Sequence, residues 1–481
     1  AVQLPNWSEF VPVAAALARL GAIMVPIMPI YRRDEVGHVL DDAQVSAAVT
    51  PSVFKGFDYL GMYRDLQAAR PALHTLVVVR GDDAVGTAET AVTTLAAATA
   101  DIDPVTAENQ IGSPAGPDDP FVIVYTSGTT ARPKGCVHTV NTYLSGARAL
   151  GKAFAYRESD VQFGPSPITH TTGLITSVML PMLHGAATHL MPDWEPHRGL
   201  AEIAQYRCTV SVTATTFIHM LLDAYHPDRH DASSLRVWVS AGAPIPRTVI
   251  ERARTLLPHA KILSLYGRSE NLATTTCTVD DDPQRALTSD GAALPNASVK
   301  IVDEHGTEVP SGTEGDIAYR GPSHMLGYLN RPEETADLFT PDGYSRSGDL
   351  GVMDTNGFVR VTGRTKDIVI RGGMNISVRE IEDLLAAHPA VRTAAIVGMP
   401  DKRLGERLCC YLVPTNPADP PPLDTLKTYL HNKGIAIQKT PERLELLDEL
   451  PTTATGKIQK HLLRQDIAHK LAENLELASG T

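Results

Sequence analysis

Several things are scarce in this chain, and each absence excludes a class of function. Aromatic residues make up only 5% of it, and no basic tract interleaves with them, so a nucleic-acid surface is not expected. The balance of 43 basic against 55 acidic residues gives a net charge of −12, which disfavours an anionic membrane surface as partner. The five cysteines (Cys136, Cys208, Cys277, Cys409, Cys410) have no CxxC spacing. The adjacent pair lies in the apolar run RLCCYLV, which reads as buried strand rather than as ligand or disulfide. The seventeen histidines form no HExxH and no Cys/His cluster, so a zinc site is not indicated. The longest apolar stretch, Phe10 to Tyr31, carries Arg19 and three prolines and has neither a basic leader nor a small-residue cleavage site. It fits neither a signal peptide nor a membrane span, and the cytoplasm is the expected location.

What is present is the composition of a globular enzyme, at 43% hydrophobic and 20% charged over 481 residues, too long for a single core. The chain opens without an initiator methionine, inside what reads as a helix-plus-strand unit, so a preceding segment is expected. Ser8 is a candidate cap for a helix ending near Leu20 at Gly21, and AIMVPIMP then reads as a buried strand. Arg33–Asp42 has a helical pattern, while Val45–Val49 and Thr75–Val79 are strand-like. Strand and helix patterns alternate from Asn141 to about Leu265, as layered α/β folds require. Short, turn-rich runs from about 299 to 360 suggest a small β subdomain. After Gly363 the pattern becomes strand, helix, strand. The expectation is an α/β protein with a large N-terminal domain, 1–365, and a smaller mobile α+β domain, 366–481.

The most informative stretch is Tyr125 to Gly135, YTSGTTARPKG. Thr126, Ser127, Thr129 and Thr130 supply hydroxyls, Gly128 frees the backbone, and Lys134 adds positive charge. Together they form a candidate polyphosphate cradle. It is not a Walker A loop, which needs a glycine before the lysine and a hydroxyl after it. Four further segments carry candidate chemistry: YGRSE (Tyr266, Gly267, Ser269, Glu270), SGDLG with Asp349, GRTKDIVIRGGMNI with Arg364, Lys366, Gly372 and Gly373, and PTTATGK ending at Lys457. A carboxylate at Glu270 suits Mg²⁺, which takes hard oxygen ligands, with a helix N-terminus as the alternative. Asp349 in its turn either accepts from ribose hydroxyls or makes an Asx-turn. Arg364 offers a fork of donors to the same sugar or to a surface acid. Tyr266 offers a ring face to a base or to the core. A lysine such as Lys457, alone, is most often a solvated charge.

These five segments, in this order and across nearly the whole chain, resemble the motifs of AMP-forming acyl-CoA synthetases. These belong to the adenylate-forming superfamily, and the bacterial medium-chain, alicyclic and aryl acid ligases are the nearest group. The resemblance implies ATP, Mg²⁺ and CoA as partners of a small carboxylic acid, in a monomer or homodimer. It assigns Tyr266, Gly242, Ala243 and Pro244 to adenine, Asp349 and Arg364 to ribose, and Glu270 to the metal. Lys457 becomes the catalytic lysine, Lys366 the hinge, and Gly372 and Gly373 the lining of the pantetheine passage. His170 would flank the acyl group, with Thr213, Ala214, Thr215, Ala241, Gly242 and Ala273 around it. No aspartate stands where an adenylation domain pairs with an α-ammonium, which disfavours an amino acid. Two other functions share these motifs: a ligase loading an aryl acid onto a carrier-protein pantetheine, and a catalytically impaired nucleotide binder, for which the expected missing N-terminal segment and Ala131 in place of the loop's usual glycine are the motive. A luciferase-type oxygenase shares them too. Met374, Asn296, Ser269 and Ser347 also depart from the common pattern, and none removes a charged group.

Overall fold

The computed structural model describes residues 1–81, 91–100, 102–111, 115–126, 133–242, 245–372, 374–401, 403–453 and 456–479. Its largest sheet has seven strands in the order Ala292–Ala293, Thr275–Thr276, Lys261–Tyr266, Val237–Ala241, Val210–Ala214, Val161–Gly164, Ala187–Leu190. The last five run parallel, and the first two are antiparallel additions. Parallel strands covered on both faces read as unbroken apolar runs. Every residue of Val237–Ala241 is accordingly buried. Trp238 is fully buried and donates its ring N–H to Thr213 Oγ1 at 3.1 Å, tying two neighbouring strands together through their side chains. A smaller parallel sheet joins Ala47–Pro51, Thr75–Val79 and Ala91–Thr94.

A hairpin of Pro120–Tyr125 and Gly135–Thr139, extended by Gly327–Tyr328, brackets the phosphate-loop segment. The four-stranded antiparallel sheet Ser298–Val302, Gly315–Arg320, Ser345–Met353, Val359–Arg364 occupies the region where short turn-rich runs suggested a β subdomain.

The C-terminal domain is built on the long pair Val391–Asp401 and Gly405–Pro414, with Val369–Arg371, Met374–Ile376 and Arg443–Leu446 beside them. Alternation along Val391–Asp401 decides which helix covers which face. Ala394 and Ile396 join a core with Ile381, Leu385, Leu426 and Leu430, while Ala395, Val397 and Met399 join another with Leu463 and Ile467. The same alternation puts Cys410 in the first core and Cys409 in the second.

Two local expectations are corrected. Ser8 does not cap the first helix. The helix is Phe10–Leu20 with Glu9 at its N-cap and no side-chain cap bond, although Gly21 ends it in the left-handed conformation at φ 69°. AIMVPIMP forms only isolated bridges, Met24 to Val122 and Pro26 to Val2. Pro26 and Pro29 have no N–H to give a ladder, so the segment stays extended but pairs residue by residue with two different neighbours. The helix Arg33–Asp42 and the strand Thr75–Val79 form with the expected bounds.

Trp238→Ala removes a large, fully packed side chain and leaves the Thr213 hydroxyl without its partner. It is expected to cost about 3–5 kcal/mol, read as a lower urea midpoint of the N-terminal domain, with Trp238→Phe losing clearly less.

Candidate functional site

The parallel strands Lys261–Tyr266 and Val237–Ala241 end at Tyr266 and Ala241, and ligands of open α/β sheets bind outside such carboxyl ends. Tyr266 donates its hydroxyl to Asp349 Oδ2 at 2.7 Å, and Arg364 Nε meets Asp349 Oδ1 at 2.8 Å. Asp349 and Arg364 are register partners on adjacent strands, which fixes that ion pair through the backbone. The turn before Asp349 is held by Asp316: one carboxylate oxygen accepts from Ser347 N–H at 3.0 Å, Ser347 Oγ at 3.1 Å and Gly348 N–H at 3.0 Å.

Gly267 follows Tyr266 where the chain crosses Leu272 and Ala273. A Cβ there would overlap the Leu272 carbonyl, so the turn that presents the next three residues requires glycine. Arg268 turns inward, donating to the carbonyl of Arg346 at 2.8 Å and to the Ser345 hydroxyl. The Ser269 carbonyl accepts from His138 Nε2 at 2.7 Å. Glu270 accepts the Tyr328 hydroxyl at 2.7 Å. Burial alone would push the Glu270 carboxyl up, but the Arg268 charge and the Tyr328 hydroxyl outweigh it and hold the carboxyl below its ordinary range. Glu270 therefore stays ionised. Among the described residues no group of three or more His, Cys, Asp or Glu could hold a metal. A single ionised carboxylate fits Mg²⁺, which is bound through one or two carboxylates and its substrate's phosphates.

The two ends of the phosphate loop are pinned to each other. Thr126 N–H donates to the Lys134 carbonyl at 2.9 Å, and Lys134 N–H to Thr126 Oγ1 at 3.2 Å. The Lys134 ammonium lies 4.5 Å over the Tyr328 ring and pairs with Glu334 at 2.6 Å. Ser127, Gly128, Thr129, Thr130 and Ala131 lie outside the described residues, as do Ala243, Pro244 and Gly373.

Lys457 comes to this group from the C-terminal domain. Burial, then the charge of Arg364, pulls its amine down from the ordinary 10.5 to about 8, with Asp349, Asp367 and Glu270 acting in the opposite sense. Burial and the charge of Lys457 likewise lower His170 to about 4. His170 is thus neutral, with Nδ1 accepting from Thr172 N–H at 3.3 Å and its proton on the other nitrogen. Gly456, at φ +77°, lets the lysine loop pass Thr216. A side chain there would both strain the backbone and overlap the Thr216 hydroxyl. Seven residues named from the sequence therefore meet here: Tyr266, Gly267, Glu270, Asp349, Arg364, Lys457 and His170.

Others stand apart from that group or around it. Gly242 ends the central strand at φ 77°. Thr213 is committed to Trp238, and the Thr215 hydroxyl lies 2.7 Å from that of Ser240. Lys366 falls in the short 3-10 turn Thr365–Asp367. Gly372 lies in a turn of the C-terminal sheet with its N–H on the Leu404 carbonyl at 2.7 Å. Asn296 takes φ 65°, as an asparagine in place of glycine allows.

Sequence reasoning missed Arg268, Tyr328, Asp316 and Thr216. Arg268 had a signal, since it stands inside YGRSE. The other three act across long separations and had none. It also missed the widened turn after His170: Leu174–Met179 is π-helical, with Leu180 N–H reaching the Ile175 carbonyl, five residues back. Pro181 follows directly and has no N–H of its own to donate into that turn.

The family model of the AMP-binding enzymes matches residues 1–329, and that of the AMP-binding enzyme C-terminal domain matches residues 380–457. The chain belongs to the AMP-binding enzyme family. It is 35% identical to the medium-chain fatty-acid–CoA ligase of Escherichia coli K12 over 475 residues, 99% of this chain and 82% of that one. It is 30% identical to the 2,3-dihydroxybenzoate-AMP ligase of Bacillus subtilis over 472 residues, 98% of this chain and 83% of that one. Among solved structures it is similar to ATP-bound MatB of Rhodopseudomonas palustris, at 28% identity and TM-score 0.85, covering 97% of this chain and 88% of that one. Against apo MatB, with 97% and 87% covered, the identity is 28% and the TM-score falls to 0.74. Among the described residues no helix is long and apolar enough to cross a membrane.

Lysine NMR of the ligand-free protein, with Lys457→Arg to assign the signal, is expected to show one amine titrating near 8, as the burial of Lys457 requires. A Lys457 midpoint at the ordinary 10.5 would place it in water instead.

Proposed function

We propose that this protein is an AMP-forming carboxylate–CoA ligase, poised in the arrangement of its first half-reaction. The single observation that carries the reading is the burial of the Lys457 amine beside Arg364, Asp349 and Glu270, although it belongs to the other domain. The higher TM-score against the ATP-bound relative than against its apo form supports the same arrangement. The identity to the Escherichia coli medium-chain ligase supports CoA as acceptor and an apolar acid as substrate.

In the first step the acid's carboxylate oxygen bonds to the α-phosphorus of ATP as the bond to pyrophosphate breaks, giving acyl-AMP. No covalent nucleophile of the protein takes part; the chain supplies position and charge. Asp349, aligned by Asp316 and Arg364, accepts from the ribose hydroxyls. Tyr266 lies against the adenine. Thr126, Lys134 and the hydroxyls between them take the β- and γ-phosphates. Glu270, kept ionised by Arg268 and Tyr328, would hold Mg²⁺, whose charge would screen the phosphates. The Lys457 ammonium draws the carboxylate against the α-phosphate and offsets the charge that grows there. Neutral His170 adds no charge beside the acyl group, which suits an apolar acid. In the second step the domain beyond Thr365 turns about Lys366, Lys457 leaves, and the CoA thiol displaces AMP.

A panel of fatty, alicyclic and aryl acids with ATP, read as AMP release with CoA and separately with a holo-carrier protein, tests the reaction and its acceptor. No AMP release with any acid of the panel, whichever acceptor is supplied, would refute the ligase. Release with the carrier alone would move the protein to the aryl-loading class.

Lys457→Ala is expected to abolish acid-dependent pyrophosphate exchange and to leave thioester formation from supplied acyl-adenylate largely intact. Because the ammonium is the working form, the first half-reaction's kcat/KM falls as pH rises through about 8, and the second half-reaction shows no such limb. Lys366→Pro gives the reverse split, since a fixed φ blocks reorientation more than it disturbs the resident pose.

A further inference from the structure

The seam between the two domains holds a charge that nothing in the reaction uses. Arg379 projects from the C-terminal helix Val378–Ala386 and is buried to 9% exposure. Neither terminal nitrogen has a hydrogen-bond partner among the described residues. What faces it across the seam is Asp290 of the N-terminal domain, at 4.0 Å. Asp290 is itself buried, to 2% exposure. Its carboxylate is fixed by the Ser264 hydroxyl at 3.0 Å and by Val361 N–H at 2.9 Å. Arg360 of the N-terminal domain stands 3.9 Å from Asp290, and Asp383, one turn beyond Arg379 on its helix, lies 3.6 Å from Arg379 and 3.8 Å from Arg360. The four charges alternate and cancel.

The same helix is coupled to the catalytic lysine. Glu382 accepts from Lys460 at 2.8 Å, and Lys460 opens the helix Lys460–Ser479 three residues after Lys457. Ser377, just before the first helix, donates to the Thr362 carbonyl at 2.7 Å, so its start is tied to the β subdomain as well. Whatever sets the seat of Arg379 therefore sets the reach of Lys457.

We propose that Arg379 and Asp290 are positioning residues for the first half-reaction: the domain docks with Lys457 in the site only when the buried arginine finds that carboxylate. This rests on the two-step reading of the reaction given above. Burying a guanidinium costs far more when its counter-charge is removed than the intact pair gains. Neutralising Asp290 leaves Arg379 pressed against Arg360 with only half-exposed Asp383 to balance two positive charges. Docking is then opposed, while a pose that returns Arg379 to water is not. Removing Arg379 as well takes the unpaired charge out of the seam.

The test is a cycle of Asp290→Asn, Arg379→Met and the double variant in the full chain, each assayed for acid-dependent pyrophosphate exchange and for thioester formation from supplied acyl-adenylate. We expect Asp290→Asn to lower exchange by about tenfold or more, Arg379→Met by less, and the double variant to exchange faster than Asp290→Asn. Thioester formation stays within about twofold in all three, which separates positioning from loss of fold. A double variant as slow as the product of the singles, unchanged exchange in Asp290→Asn, or equal loss of both half-reactions would overturn the proposal. Absence of exchange in the unmodified protein would instead refute the ligase reading itself.

Discussion

A half-buried lysine amine at a junction of two domains is the constraint on which the rest of this structure depends. Its lowered pKa means that the docked arrangement binds fewer protons than one with the amine in solvent. Between about 8 and 10.5, docking is therefore favoured as pH rises, and below about 8 the ligand-free protein bears the whole of that penalty on the charged amine. An anionic guest offsets that cost, so under the proposed function closure is coupled to the presence of triphosphate and acid. The enzyme is built to be uncomfortable when closed on nothing.

Around that amine, the charges are set by pairing rather than by exposure. Asp349 is spoken for by Tyr266 and Arg364, Glu270 by Tyr328, and Lys134 by Glu334. Under the proposed function each is an exchangeable bond, for which a ribose, a metal or a phosphate would offer the same group another partner. These three groups stay satisfied without ligand, so the desolvation cost of the empty site falls on the Lys457 amine. Arg268 differs, because it reaches carbonyls and hydroxyls of the β subdomain and supports Glu270 from behind.

Local chemistry was legible in the sequence and long-range geometry was not. Tyr266, Asp349, Arg364 and Lys457 stand in short segments whose glycines and hydroxyls announce turns, so the turns could be read and the side chains within them singled out. Tyr328 and Asp316 lie 58 and 31 residues from the groups they serve, in stretches of ordinary strand, and only the folded sheet brings them in. The misreading of AIMVPIMP has a similar cause. Apolar content marks a buried extended segment, but whether it pairs as one strand depends on N–H groups that two prolines remove. The cradle's own centre, from Ser127 to Ala131, was the strongest signal in the sequence and lies outside the described structure, so its role rests on its two pinned ends and on the family.

The thiols bear on the chemistry from an unexpected side. An acyl-adenylate is a reactive electrophile, and a thiol is the reagent proposed to capture it. All five cysteines are free and buried. Burial pushes Cys277 up to about 11, Cys208 and Cys409 up to about 12, and Cys136 and Cys410 higher still. Cys409 and Cys410, though adjacent, open into different cores. None offers a thiolate at physiological pH. The protein's own thiols are thereby withheld both from the activated acid and from mixed disulfides with a thiol acceptor.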